Sequence, residues 1–292
     1  MPDTALQIKQ LTKAFDGITV LKGVNASVEC GEVIGLLGLN GAGKTTLLET
    51  ALGFCLPDNG SSTILGQDGI IMDKATRARI GFVPQRDELL DGIKGSAWLN
   101  MIAEFYENWD QALVDRLAAE WDVPLNTRTN KMSVGQRQKL SIISALGHKP
   151  DLIILDEPVA SLDPLARRRF LKELVDIASN HTRTIMFSTH IVSDLERVAS
   201  RVWIMQDGDI TVNADMDQLK EQFVRIRFSN KADLPADIEG RHLLTSRSDS
   251  METIELYRNW QPQMSEALQQ EYGDEVQIEH LALEELFLEL HA

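Results

Sequence analysis

Leu6 and Ile8 alternate with polar neighbours, and after "FDGIT" the alternation returns at Val24, Ala26 and Val28. A period of two marks half-buried strands. Residues 5–37 are therefore read as strands, with a turn at "FDGIT", another at "CGE" (30–32), and then the apolar run "VIGLL". "IGFVPQ", residues 80–85, is a short strand ended by Pro84. Between 94 and 148 the period changes. Trp98, Met101, Ile102, Phe105 and Trp109 recur at helical spacing, and Val114, Leu117 and Trp121 extend a second stripe. "LIIL" at 152–155 is apolar at every position, the mark of a strand covered on both faces. "PLARRRFLKELVDIAS" is a helix with Pro164 at its start. "TIMFSTH" is a strand, "SDLERVAS" a helix, and "RVWIMQDGDI" a strand running into a turn. Strands alternating with helices predict an α/β fold with a parallel sheet. After about residue 214 the pattern changes again: "FVRIRF" alternates like a strand and "LALEELFLEL" is an apolar and acidic helix. That predicts a small α+β appendage over 214–292, following a main domain over 1–213. There is no internal repeat and no low-complexity tract.

Composition narrows the partners. The 292 residues suffice for one large domain and a small one. The formal charge is −15, and the last 72 residues carry 15 acids against 6 bases. Phosphate contacts need Lys and Arg, so nucleic acid bound through a bulk basic surface is excluded as a partner. A local anion site stays open. Cys30 and Cys55 are too few for a disulfide framework or a metal site. They are read as small buried or half-buried residues in a reducing compartment. "MPDTALQIKQ" has an early acid and no apolar centre, so it is not a signal peptide. Apolar runs such as "VIGLLGL" at 33–39 are far below membrane-spanning length. Work at a membrane would need a partner.

"GLNGAGKT", Gly38 to Thr45, matches G-x-x-x-x-G-K-[ST] between an apolar strand and a helix from about Thr45. Glycines let backbone N–H groups curl around an anion. Lys44 would reach the β- and γ-phosphates of a nucleotide, and the Thr45 hydroxyl would hold Mg²⁺. "LIILDEP" brings Asp156 to the same sheet edge, where it would hold Mg²⁺ directly or through water. Glu157 follows, placed to polarise an attacking water. "KMSVGQRQKL" is a helix start with Ser133 as N-cap and Gln136 as the N3 residue. Val134, as first helical residue, needs only an ordinary negative φ. Gly135 exposes backbone N–H at a positive helix end, which makes a second anion site. It is far along the chain from Lys44. A simple arrangement pairs each phosphate loop with this helix end from another copy, two chains sandwiching two ATP head to tail.

On these motifs the chain resembles the nucleotide-binding subunit of an ABC transporter. "MSVGQ" is similar to the LSGGQ signature, with Met132 for Leu and Val134 for the first Gly. The resemblance implies a P-loop NTPase fold with an N-terminal β subdomain, a mainly parallel core sheet and a helical signature subdomain at about 86–148. It implies that Gly38, Leu39, Asn40, Gly41, Ala42, Gly43, Lys44, Thr45 and Thr46 bind the nucleotide, with Phe15 stacked on adenine. Ser133, Gly135 and Gln136 would touch the partner's nucleotide, and Asp163 in "SLDP" would cross the dimer interface while capping its helix. Glu157, His190 in "FSTH", Gln85 in "GFVPQ" and Lys44 would be catalytic. Thr45, Asp156 and Gln85 would serve Mg²⁺. The sequences after Gln85 and after His190 resemble the exporter-type branch, whose ATPases pair with separately encoded permeases. A peripheral place on the cytoplasmic face of the inner membrane follows. So does a second copy of this chain or a related ATPase subunit; intact motifs at both kinds of site favour the homodimer. The alternative is a soluble ABC ATPase with a non-membrane partner. Trp98, Leu99 and Tyr106 either line the groove that receives the permease or form the core of the helical subdomain.

Overall fold

The first alternating runs make one long hairpin. In this computed structural model, which describes residues 3–179, 183–229, 242–248 and 252–291, β1 (Thr4–Phe15) pairs antiparallel with β2 (Ile18–Glu29). The two-residue connection is Asp16–Gly17, both at positive φ (49° and 81°), the turn whose twist matches that of the strands. β3 (Val33–Leu37), fully buried, leaves the hairpin for a second sheet. α1 (Lys44–Ala51) follows it, and β4 (Asn59–Ile64) and β5 (Gln67–Asp68) return to the first sheet, whose order is β2-β1-β4-β5. α2 (Lys74–Arg77) leads into β6 (Ile80–Val83).

The helical stretch is three helices: α3 (Gly95–Ala103), α4 (Gln111–Glu120) and α5 (Val134–Leu146). The first hydrophobic stripe runs past its helix. α3 stops at Ala103, so Phe105 lies in a turn with its side chain exposed, and Trp109 sits beyond, just before the Asp110 cap of α4. Leu99 is buried and Trp98 donates to the Ser144 hydroxyl at 2.7 Å, which puts both in the helical core. The second stripe holds, with Val114, Leu117 and Trp121 buried and the Trp121 ring edge-on to Phe170.

β7 (Leu152–Leu155), α6 (Pro164–Ala178), β8 (Thr184–Thr189), α7 (Val192–Val198), β9 (Arg201–Gln206) and β10 (Asp209–Asp215) complete the second sheet, ordered β10-β9-β3-β8-β7-β6. β9, β3, β8, β7 and β6 run parallel. Leu36, Leu47, Leu48, Ile154, Met186 and Trp203 belong to one core that the first sheet shares through Leu6, Leu11 and Val24. Cys30 is exposed at a turn, contrary to the buried or half-buried position expected from its residue type.

The chain divides into two compact units, Met1–Asn213 and Ala214–Ala292. The second holds α8 (Leu219–Gln222), an antiparallel sheet of β11 (Val224–Ser229), β12 (His242–Ser248), β13 (Glu252–Arg258) and β14 (Val276–His280), and the helices α9 (Pro262–Tyr272) and α10 (Leu283–Leu290). Val224, Ile226, Tyr257, Trp260, Leu268 and Val276 form its core. Among the described residues no helix is long and apolar enough to cross a membrane.

Candidate active site

The loop between β3 and α1 can be built only with glycine where it turns into the helix. Gly43 is the N-cap of α1 at φ 105°, and a Cβ there would meet Met205 at 2.9 Å. No side chain caps α1, so its first N–H groups are left for an anion. Lys44 is buried. Its Nζ donates to the carbonyls of Gly38 (2.8 Å) and Leu39 (3.2 Å) and lies 3.2 Å from Glu157 Oε1. That last contact is a charge contact, since Oε1 makes no hydrogen bond.

β7 delivers the carboxylates. The Asp156 N–H continues the ladder onto the Val83 carbonyl. Its Oδ2 accepts from the Thr45 hydroxyl at 2.6 Å, and its Oδ1 accepts from Ser188. Ser188 Oγ in turn accepts from the Glu157 N–H at 2.8 Å. Glu157 stands at φ 47°, a left-handed conformation costing a non-glycine residue about 1–2 kcal/mol. Strain of that kind persists where the surroundings over-determine it; here Ser188, Lys44 and His190 all hold Glu157. His190 Nδ1 lies 3.0 Å from Glu157 Oε2, with the ring 44% exposed and the carboxylate 4%. Thr45, Asp156, Ser188, Glu157 and Lys44 thus close a polar ring at the carboxyl edge of the parallel sheet.

A second face gathers at the start of α5. Ser133 Oγ accepts from Gln136 N–H at 3.2 Å, and Gln136 Oε1 accepts from Ser133 N–H at 2.9 Å, both halves of a capping box. Replacing Ser133 with Ala is expected to cost about 1 kcal/mol of stability, read as a lowered urea midpoint with unchanged m-value. Val134 is exposed, and Gly135 lies beside the Ser161 carbonyl. Asp163 caps α6, accepting from the Ala166 N–H (2.9 Å) and the Leu165 N–H (3.0 Å), which hold its carboxyl below the usual range.

The ABC transporter family model matches residues 21–160. The chain is 30% identical over 240 residues to the ABC transporter ATP-binding protein YtrB of Bacillus subtilis (strain 168), covering 82% of this chain and 81% of that protein. It belongs to the ABC transporter family as an ATP-binding subunit. The Nod factor export ATP-binding protein I of Paraburkholderia xenovorans (strain LB400) is 32% identical over 213 residues, covering 71% of this chain and 70% of the relative. A solved ATP-binding cassette, dimeric in a post-hydrolysis state with ADP and phosphate bound, superposes with a TM-score of 0.64 at 23% identity. It covers 72% of this chain and 98% of the other, a likeness of fold.

The ATPase brings Lys44, Thr45, Asp156, Glu157 and His190 into one cluster. Gln85 is exposed two residues beyond Val83 of β6, and among the described residues it bonds neither Thr45 nor Asp156. Phe15 is half-exposed at the hairpin tip, with Lys13 Nζ 5.2 Å from its ring. Ser133 and Gln136 bond each other and none of the cluster's side chains. Two functional neighbours were missed from sequence. Ser188, which bridges Asp156 and Glu157, lies two positions before His190, and strand periodicity would have put both on one side. Arg137, one residue past Gln136, pairs with Asp87 (2.6 Å) and Asp91 (2.8 Å) and ties α5 to the segment after Gln85; no local pattern announces it.

Proposed function

We propose that this ABC ATPase powers an exporter as a head-to-tail homodimer, peripheral to the cytoplasmic face of the inner membrane and joined to a separately encoded permease. The carrying observation is the polar ring of Lys44, Thr45, Asp156, Ser188 and Glu157, with His190 against it. The 38–46 loop, Lys44 and the start of α1 bind the phosphates, and Phe15 stacks on adenine. The metal site fits Mg²⁺. Thr45 and Asp156 offer two hard oxygen ligands at 2.6 Å from each other, and this ion takes its remaining ligands from phosphate and water. Bound there, Mg²⁺ neutralises charge on the phosphates. Glu157 accepts the proton of the attacking water, His190 orients Glu157, and Gln85 is the residue assigned to sense the metal. Ser133, Gly135 and Gln136 serve the partner's nucleotide, and Asp163 crosses to the partner. The family's dimeric cassette supports this geometry, and likeness to an export ATP-binding protein supports the direction. The 214–292 extension is a separate appendage to the 1–213 ATPase domain.

The permease is proposed to dock at a cavity of about 380 Å³ between α2 and the turn after α3. Lys74, Arg79, Phe105, Tyr106 and His148 line it. Tyr106 stacks on His148 with ring centres 3.9 Å apart, and burial pushes the His148 pKa down, so the floor is a neutral aromatic pair. Phe105 is exposed above it, an apolar anchor for a helix end. The test is a tagged pull-down from detergent-solubilised membranes. A polytopic membrane protein in stoichiometric amount is expected, with recovery falling at least about tenfold for Phe105→Asp. Soluble partners alone would favour the soluble-ATPase reading.

A further inference from the structure

The signature glycine packs closely against the backbone of its own chain. Gly135 is the second residue of α5, and its φ is ordinary, so backbone conformation does not demand glycine there. The constraint is steric: a Cβ on Gly135 would stand 2.8 Å from the Ser161 carbonyl oxygen, with no other atom so near. That oxygen belongs to backbone, which cannot swing aside as a flexible side chain would.

Ser161 sits on a short, taut path from the catalytic base. The Ala160 N–H bonds the Glu157 carbonyl at 3.2 Å, and the Leu162 N–H bonds the Val159 carbonyl at 3.1 Å. Val159 is buried, and Asp163 then locks the path to α6 by capping it. Two overlapping turns and a cap leave little slack between Ser161 and Glu157, which already holds a strained φ. Packed interiors transmit such displacements rather than absorb them. At its other side α5 is anchored by Arg137 on Asp87 and Asp91, so the helix start cannot retreat freely from Ser161.

We propose that Gly135 is a positioning residue for Glu157 of the same chain, acting through the Ser161 carbonyl, besides any contact with the partner's nucleotide. The close fit makes the start of α5 and the 157–163 turn one body. A shift of the signature end, by whatever it binds, is then felt four residues from this chain's own base. The second step of this inference rests on the head-to-tail reading given above; the first does not.

Gly135→Ala tests it. The added methyl favours helix, so the variant is expected to fold, and unchanged nucleotide affinity at its own phosphate loop checks this. In the nucleotide-free protein, where no trans contact forms, the Ala160 and Leu162 amides are expected to exchange about tenfold faster than in wild type. Unchanged exchange overturns the proposal. The second measurement pairs two differently tagged chains. A wild-type chain with a Glu157→Gln chain sets the turnover of one intact site. Replacing the wild-type member by Gly135→Ala keeps Glu157 and the opposing signature end intact. Turnover is expected to fall to about a tenth of that scale. Turnover at the full scale would confine Gly135 to the partner's site and overturn its role in placing Glu157. The head-to-tail reading fails separately, if ATP drives no dimer of Glu157→Gln.

Discussion

Glu157→Gln is expected to lower steady-state ATP hydrolysis by about 10²–10⁴-fold while ATP still binds and closes a dimer. The amide keeps the shape of the carboxylate, so the Ser188 bond to the residue 157 N–H and the left-handed backbone are undisturbed. What it loses is the ability to take a proton. Glu157 is the only carboxylate of the ring free for that task, since Asp156 is engaged on both oxygens by Thr45 and Ser188. His190 faces Glu157 through Nδ1 rather than replacing it, and its ring is partly exposed. Phosphate release measures the rate, and size-exclusion chromatography in Mg-ATP measures the dimer. Turnover near the wild-type rate would remove Glu157 as the base and leave His190 or a water chain to be considered. A dead enzyme that no longer binds ATP would mean that the substitution damaged binding, not proton transfer; one that binds ATP as wild type does yet stays monomeric would count against the head-to-tail dimer instead.

What was legible in the sequence was what is local. The phosphate loop declares itself because a tight anion-binding turn permits few residues, and Gly43 at φ 105° shows why. The "LIIL" strand and its acidic end needed only an apolar run and two letters. Ser133 and Gln136 were readable as a capping box because both partners lie within one turn. Where tertiary packing decides, the reading failed or fell silent. The Phe105 position fits helical spacing, yet the helix ends before it and the ring is exposed beside a cavity. Cys30 is small and apolar enough for burial but falls on an exposed turn between strands. The Gly135 constraint comes from a carbonyl 26 positions away, and no periodicity encodes that distance. In the extension, alternation gave a strand and a helix, while the antiparallel order β12-β13-β11-β14 depends on pairings the pattern leaves open.

Lys44→Met is expected to weaken ATP binding by about 10–100-fold, the loss of charge-assisted bonds worth some 1.5–3 kcal/mol. It should also destabilise the nucleotide-free protein, which a purely ligand-binding lysine would not do. Met keeps the aliphatic stem in its buried place, so packing changes little. The ammonium, however, is the cation beside the buried Glu157 Oε1, an atom with no hydrogen bond of its own. Removing one member of a buried pair leaves the other uncompensated, at a cost of about 3–5 kcal/mol. The exposed His190 ring on Oε2 softens this, which argues for the lower end of that range. The double variant Lys44→Met with Glu157→Gln separates the two effects. Its stability should recover most of the loss, because no lone charge remains, while its ATP affinity stays low. That coupling is the signature of a direct pair in a double-mutant cycle. If the double variant is as unstable as Lys44→Met alone, the loss came from the Gly38 and Leu39 carbonyls that the lysine also satisfies, and Glu157 is held by Ser188 and His190 without it.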